Sequence, residues 1–427
     1  MLSVQQAEAT VLEAVQPLDA WKDSEHVNLL AAPGRVLATM VTSELDFPHW
    51  DNSAMDGYAV RFADVQVCCA EQPVVLEVVE EIPAGYRPQK TIQPGQAARI
   101  LTGSVMPAGA DTVVIQEETE RMGDQVTILA APEPYAFVRY RASFYQAGTP
   151  LLAAGVMIQA PEIAVLAAAQ CSQVKVYRRP KVAILSTGDE LVTPGQPLQW
   201  GQIVDSNQYA LATLVVQAGA EPVLLGIVPD CPQQIRAAIA QAITQADVVL
   251  SSGGVSVGDY DYIDRILPEL GATIHFRAVA IKPGKPLTFA TFTPNASLSD
   301  SGSEPHTPHR PILYFGLPGN PVSSLVSVWR FVQPALKKLS GLGQGWKPEF
   351  VQATVQHELQ SGGKRETYLW GQLKLGARDY EFHLAGGSHS SGNLINLVET
   401  NGLAVIPVGQ RSILPGEQVR VLRMSAL

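Results

Sequence analysis

The sequence predicts a multidomain α/β plus β protein centred on a doubly wound parallel sheet. Three observations predict it. From Pro180 onward, apolar runs and amphipathic stretches alternate in a strand, loop, helix rhythm. On either side, from Glu44 to Arg141 and beyond Pro348, short β-prone runs are broken by Gly and Pro turns. The length of 427 residues corresponds to about three domains at roughly 150 residues each.

The elements follow in order. Ser3 can cap a first helix, with Ala7, Val11 and Val15 near one face. "VVLEVVEEI", "DTVVIQEETE" and "QVTIL" read as strands, separated by "PAGYRP", "QPGQ" and "MPAGAD". "PEIAVLAAAQ" reads as a helix with Pro161 at a first helical position. "KVAILS" is a buried-strand candidate. "DSNQYALATLVVQAGA" is a helix capped by Asp205 or Ser206, with Leu211, Leu214, Val215 and Ala218 as its apolar stripe. "EPVLLGIV" and "DVVLS" are strands on either side of the helix "PQQIRAAIAQAITQA", which Pro232 opens. "TIHFRAVAI", "LTFATF" and "PILYFGLP" add strands. "NPVSSLVSVWRFVQPALKKL" adds a long helix with a kink expected at Pro334. The Ser- and Pro-rich stretch from Thr293 to Arg310 reads as a flexible surface insertion. Its His306 and His309 are more simply solvated loop residues than metal ligands. "VQATVQHEL", "ETYLWGQLKL", "GLAVIPV" and "EQVRVLRM" predict a small closed or nearly closed β domain.

Composition narrows the function. Hydrophobic residues make up 46% and charged residues 16%, enough apolar material for sizeable cores. The formal net charge of −10 excludes a generally basic surface for nucleic acid or anionic lipid. Any anion must be met by Lys and Arg concentrated locally. The four cysteines show no C-x-x-C, which argues against a disulfide framework or structural zinc. The first residues carry Glu8 and Glu13 and no basic stretch, and no apolar run reaches the ~18 residues of a membrane helix. The expectation is a reduced, soluble, cytoplasmic protein.

Ligands on parallel sheets bind beyond the carboxyl ends of the strands, where the strand order switches. Four glycine-bearing loops fall at such ends: "TGDEL", "SGGVSVGDYDY", "KPGKP" and "LPGNPVS". Any one of them is as easily an ordinary tight turn; four at matching ends are not. Gly253 and Gly254 let backbone N–H groups approach a ligand. "GVSVG" also matches the short nucleophile-elbow pattern, with Ser256 as nucleophile, although no downstream His is an obvious base. Lys282 and Lys285 flank Pro283 and Gly284, and prolines stiffen that turn, so two ammonium groups are held for a phosphate or another oxyanion. Asp189, Glu190, Asp259 and Asp261 lie at neighbouring strand ends. Carboxylates beside a phosphate site are commonly bridged by Mg²⁺. For Asp259 a solvated rim or a helix cap is equally open. Asp56-Gly57 in "DNSAMDGYAVR" reads as a tight-turn pair, and Thr102 and Gly103 follow a strand.

Taken together, "DNSAMDGYAV", "ILTGSVMPAGADTVVIQEE", "VAILSTGDEL", "SSGGVSVGDYDY", "IKPGKPL" and "GLPGNPVSS" resemble the molybdopterin molybdotransferase family, MoeA-type and related to the gephyrin E domain. The motifs occur in family order and span nearly the whole chain. The resemblance implies an extended helical linker region (1–43 and 142–178) and a β-rich domain (44–141). It further implies a molybdopterin-binding α/β domain (179–342, with the insertion 293–310) and a C-terminal β-barrel (343–427). It implies a homodimer whose active site lies between one subunit's β-rich domain and the partner's other domains. The implied reaction inserts molybdate into adenylylated molybdopterin, gives molybdenum cofactor and AMP, and needs Mg²⁺. Other molybdenum-cofactor biosynthesis proteins are possible partners, and no nucleic acid or membrane is expected.

Carried over residue by residue, the resemblance assigns Asp56, Thr102, Glu190, Asp230 and Asp261 to catalysis, with Glu190 and Asp261 at the metal. Gly253, Gly254, Ser256, Lys282, Lys285, Pro286, Ser323, Arg365 and Ser391 would bind substrate, with Ser390 the alternative to Ser391. One departure stands out: a Gly-Glu-Asp run common in the family is replaced by Ala142, Ser143 and Phe144. Three rivals remain: an adenylyltransferase sharing the α/β domain, a Ser256 hydrolase and a non-catalytic scaffold.

Overall fold

A computed structural model describes residues 1–254, 262–293 and 310–424. Ser256, Asp259, Asp261 and most of the insertion therefore lie outside the described residues. The chain forms two compact units: Met1–Thr39 with Ala154–Ile163 and Gln173–Leu427, and Met40–Ala153 with Ala164–Ser172.

The first helix, α1 (Val4–Ala14), begins as the sequence predicts. Gln6 N–H donates to Ser3 Oγ (3.2 Å) and Ser3 N–H donates to Gln6 Oε1 (3.0 Å), a reciprocal cap for two orphan donors. Its buried Val4, Ala7 and Val11 face the core.

The smaller unit is built on six strands: β1 (Gly57–Val60), β2 (Val74–Ile82), β3 (Gln96–Ile100), β4 (Thr112–Ile115), β5 (Thr119–Met122) and β6 (Gln125–Ile128). They pair in the order β4-β1-β3-β2-β6-β5. Alternation sends Tyr58, Val60 and Leu76 to one apolar cluster and Ala59, Ile82 and Ile100 to another. Asp56-Gly57 does not make the expected tight turn. Gly57 opens β1 between Ile100 and Ile115, and a Cβ there would lie 1.9 Å from Val114 O. Close strand approach, not turn conformation, explains this glycine.

The larger unit holds the doubly wound sheet. Its elements are β7 (Lys181–Thr187), α2 (Asn207–Gln217), β8 (Glu221–Val228), α3 (Pro232–Gln245), β9 (Val248–Ser252), α4 (Ile263–Glu269), β10 (Ala272–Ala278), β11 (Ile281–Lys282), β12 (Pro286–Phe292) and β13 (Ile312–Leu317). The strand order is β8-β7-β9-β13-β12-β10; the first four run parallel and β12 turns antiparallel. The chain steps from β7 to β8 on one side, then crosses to β9 on the other. The order therefore switches between β7 and β9. Their ends are level: Thr187 pairs with Val228, and Ser252 with Ser186 and Leu317. Apolar residues of α1 and α2 cover one face with Ile184, Leu250 and Phe315. Those of α3 and α4 cover the other with Leu185, Val249 and Tyr314.

The long helix starts as α5 (Pro321–Ser327) and ends as α6 (Gln333–Leu339). The irregularity expected at Pro334 is a π-helical turn over Val328–Val332. Pro334 has no N–H to donate to the Arg330 carbonyl, and the turn before it widens. The closing domain is a five-strand barrel: β14 (Phe350–Val355), β15 (Glu366–Leu375), β16 (Tyr380–Leu384), β17 (Gly402–Ile406) and β18 (Gln418–Arg423). Pairing runs β15-β16-β14-β18-β17 and returns to β15. Closure removes the exposed sheet edges. Tyr368, Trp370 and Leu403 of the barrel join the same apolar cluster as the sheet's Phe315 and Phe331 of the long helix.

Candidate active site

Glycine shapes the loop after β9. Gly253 has φ +92°, and a Cβ there would stand 2.4 Å from Thr187 O. Only a residue without Cβ lets this loop pass so close to the end of β7. Its N–H donates to Leu317 O (3.3 Å), and a Cβ on Gly319 would be 3.7 Å from the Gly253 Cα. Asn207, at the start of α2, fastens this corner. Its Nδ2 donates to Ser252 Oγ (2.6 Å) and to Gly319 O (2.8 Å), while its buried Oδ1 has no partner among the described residues. The buried Thr187 Oγ1 likewise has none. Sequence reasoning passed over Asn207. The only signal was a polar residue directly after the cap of a buried helix; Ser206 is the cap residue, and Asp205 one position before it accepts from Gln208 N–H (3.2 Å).

Acids crowd the two neighbouring loops. Asp230 N–H donates to Asp189 Oδ1 (3.1 Å). Partial burial, then the charges of Asp189 and Glu190, raise the Asp230 carboxyl above the usual aspartate range. Glu190 folds back beside Gly188, where a Cβ would be 2.6 Å from its Oε2. Among the described residues no three metal-binding side chains stand ready as a cage.

Cations gather around the KPGKP turn. Its stem, β11, pairs in parallel with the start of the barrel strand β15, Ile281 with Glu366 and Lys282 with Thr367. Arg365 Nη1 donates to Ile281 O (3.1 Å), which holds the guanidinium beside the turn. Val279 N–H donates to Lys285 O (3.0 Å) and closes it. Gly284, at φ +101°, sits against α5; a Cβ would be 3.1 Å from Ser327 Oγ and 3.4 Å from Ser323 O. Lys282 and Lys285 are both exposed, and Pro286 begins β12. Val322 N–H at the start of α5 donates to Ser391 O (3.0 Å), so Ser391 rather than Ser390 is tied to this corner. The structure thus brings Lys282, Lys285, Pro286, Ser323, Arg365 and Ser391 together. Gly253, Gly254, Glu190 and Asp230 line the adjoining strand ends. Ser256 and Asp261 lie outside the described residues.

Asp56 and Thr102 meet within the smaller unit. Thr102 N–H and Thr102 Oγ1 both donate to Asp56 Oδ1 at 2.7 Å, and these bonds lower the carboxyl's pKa. At the site of the departure, Ala142 adopts φ +61° and its N–H donates to Pro48 O (3.1 Å), while Phe144 is exposed.

Comparison with known proteins matches three regions of the chain. Residues 2–169 match the MoeA N-terminal region (domain I and II), 183–338 a probable molybdopterin binding domain, and 352–424 the MoeA C-terminal region (domain IV). A molybdopterin molybdenumtransferase of Nostoc sp. (strain PCC 7120) is 61% identical over 424 residues, covering 99% of this chain and 94% of the relative. The chain belongs to the molybdopterin molybdenumtransferase family. A second member, from Haemophilus influenzae, is 34% identical over 99% of this chain and 98% of its own. The crystal structure of the molybdopterin biosynthesis moeA protein from Pyrococcus horikoshii OT3 superposes with a TM-score of 0.81. It is 28% identical and covers 99% of this chain and 100% of that one. The family's molybdopterin-binding match covers the doubly wound sheet whose strand ends carry the glycine loop and the acids.

Proposed function

We propose that this chain inserts molybdate into adenylylated molybdopterin and releases molybdenum cofactor and AMP. The observation that carries the reading is the cationic corner: Lys282, Lys285 and Arg365 on one hydrogen-bonded turn and strand pair, in a chain of net charge −10. Two anions must meet for this reaction, and fixed cations stabilise them without reorganising at the moment of bond exchange. The Gly253–Gly254 loop would hold the phosphate or pterin end, with Ser256 beside it. Lys282, Lys285, Pro286, Arg365 and the hydroxyls of Ser323 and Ser391 would hold molybdate. A molybdate oxygen would attack the adenylyl phosphorus and the phosphoanhydride bond would break, leaving the other phosphate on molybdopterin. The Mo–O bond to that oxygen would then break as the two dithiolene sulfurs take the metal, AMP leaving with that oxygen and the two thiol protons leaving with a second molybdate oxygen as water.

Mg²⁺ fits the donor set. It takes one or two carboxylates and completes its shell with phosphate oxygens and water. Partial burial first, and then the neighbouring Asp189 and Glu190 charges, raise the Asp230 carboxyl, and a cation would offset the second of these. Glu190 and Asp261 would hold the ion, which would neutralise the phosphoanhydride oxygens. In the same proposal the enzyme is a cytoplasmic homodimer that hands its product to other molybdenum-cofactor proteins, and Asp56 and Thr102 act in catalysis.

The test is Lys282→Ala combined with Lys285→Ala. Molybdate-dependent AMP release should fall by about 10²-fold or more. Unchanged release would remove the oxyanion assignment. The same assay with tungstate measures discrimination between two oxyanions of nearly equal size and charge.

A further inference from the structure

The larger unit contains a cavity of about 390 Å³ that the reaction does not use. It lies at the opposite edge of the sheet, beside the residues leading into β7 and the carboxyl ends of α2 and α6. β7 separates this edge from the strand-end loops. Its seven residues span roughly 20 Å at about 3.3 Å each.

The lining includes Arg35, Arg178, Arg179 and Lys337 and not one carboxylate. Two of these cations are already committed. Arg35 pairs with Glu25, and Arg178 with Asp23 and Asp247. Arg179 and Lys337 have no ion pair among the described residues. A cation in the last turn of α6 also complements the helix dipole, which accounts for Lys337 alone but not for Arg179. The two helix ends carry roughly half a negative charge each, against two full positive charges, and Val216 O already accepts from Gly219 N–H and Lys337 O from Ser340 Oγ, leaving their second lone pairs for a ligand. Tyr177 adds a ring and a phenol whose pKa is pushed up by burial and then by the Asp19 carboxylate nearby. A ligand matching these walls carries an anion and also N–H or O–H donors. The volume is within the usual range for small-molecule sites.

We propose that this cavity is a second ligand site, for a mononucleotide-sized phosphate ester whose phosphate sits between Arg179 and Lys337. The experiment is calorimetric titration of the full chain with AMP, adenosine and inorganic phosphate. Three proteins are compared: wild type, Arg179→Ala with Lys337→Ala, and Lys282→Ala with Lys285→Ala. The Lys282/Lys285 variant should keep a nucleotide site that the Arg179/Lys337 variant loses, with affinity down at least about tenfold. Adenosine should bind at least about tenfold more weakly than AMP, because it lacks the charge that the two cations read. Inorganic phosphate binding as tightly as AMP would reassign the site to the free anion and overturn the ester. So would equal AMP binding in the Arg179/Lys337 variant and wild type, or no AMP site in the Lys282/Lys285 variant. Arg179→Glu alone, at an exposed position, repeats the test should the double variant misfold.

Discussion

Gly253 shows what one absent side chain does. A methyl there meets the Thr187 carbonyl at 2.4 Å, in a backbone conformation that costs an L-residue about 1–2 kcal/mol. Gly253→Ala should therefore shift the loop rather than fill a space. The expected result is a loss of kcat/KM of about tenfold or more with a fall in Tm of only a few degrees, read by steady-state assay and calorimetry. A full-activity variant would show that the loop does not position substrate. This glycine was legible because a strand-ending Gly-Gly pair has few other uses. So were Lys282 and Lys285, since prolines beside them limit the turn. Asn207 was not legible: its partners lie 45 and 112 residues away, and no local pattern encodes so distant a bond. Arg365 came only from the resemblance, because its anchor on Ile281 is 84 residues away.

At the level of elements, the strand and helix rhythm was readable because periodicity is local. The ionic cluster at the other edge of the sheet was not. Asp247, just before β9, accepts from Lys181 N–H (2.8 Å), from Arg178 (2.7 and 2.8 Å) and from Arg310 (2.6 Å), partners 63 to 69 residues distant in sequence. Burial pushes its carboxyl up, but the Arg178 hydrogen bonds, the two guanidinium charges and Lys181 N–H more than reverse this and leave it lowered. Asp23, bonded to the same two arginines, is lowered as well. A lowered carboxyl contributes stability above its unfolded value, about 3.9, and loses it as pH falls through the folded value. Thermal unfolding should thus change little from pH 7 to 5 through these two groups and weaken below about pH 4. Asp247→Asn leaves buried guanidinium charge uncompensated and should cost about 3–5 kcal/mol at pH 7. Calorimetry at pH 7 and pH 3.5 should show the gap to wild type narrowing in acid. A constant gap would mean that hydrogen-bond geometry, not charge, holds the cluster.

Across the whole molecule, barrel and sheet share one apolar cluster, with Trp370 fully buried in it and its Nε1 donating to Asn396 Oδ1 (3.0 Å). Trp370→Ala should destabilise the larger unit by about 3–5 kcal/mol. If the barrel steadies the lysine turn, this distant change should also raise the molybdate KM; an unchanged KM in a destabilised variant would separate the two. β11 belongs to the α/β stretch of the chain by sequence, yet its hydrogen bonds are made to a barrel strand. A sheet of this kind with no barrel would keep its glycine loop and lose the strand that pairs with the stem of the lysine turn. A change confined to the barrel strand would therefore reach the lysine turn through two backbone pairs, Ile281 with Glu366 and Lys282 with Thr367.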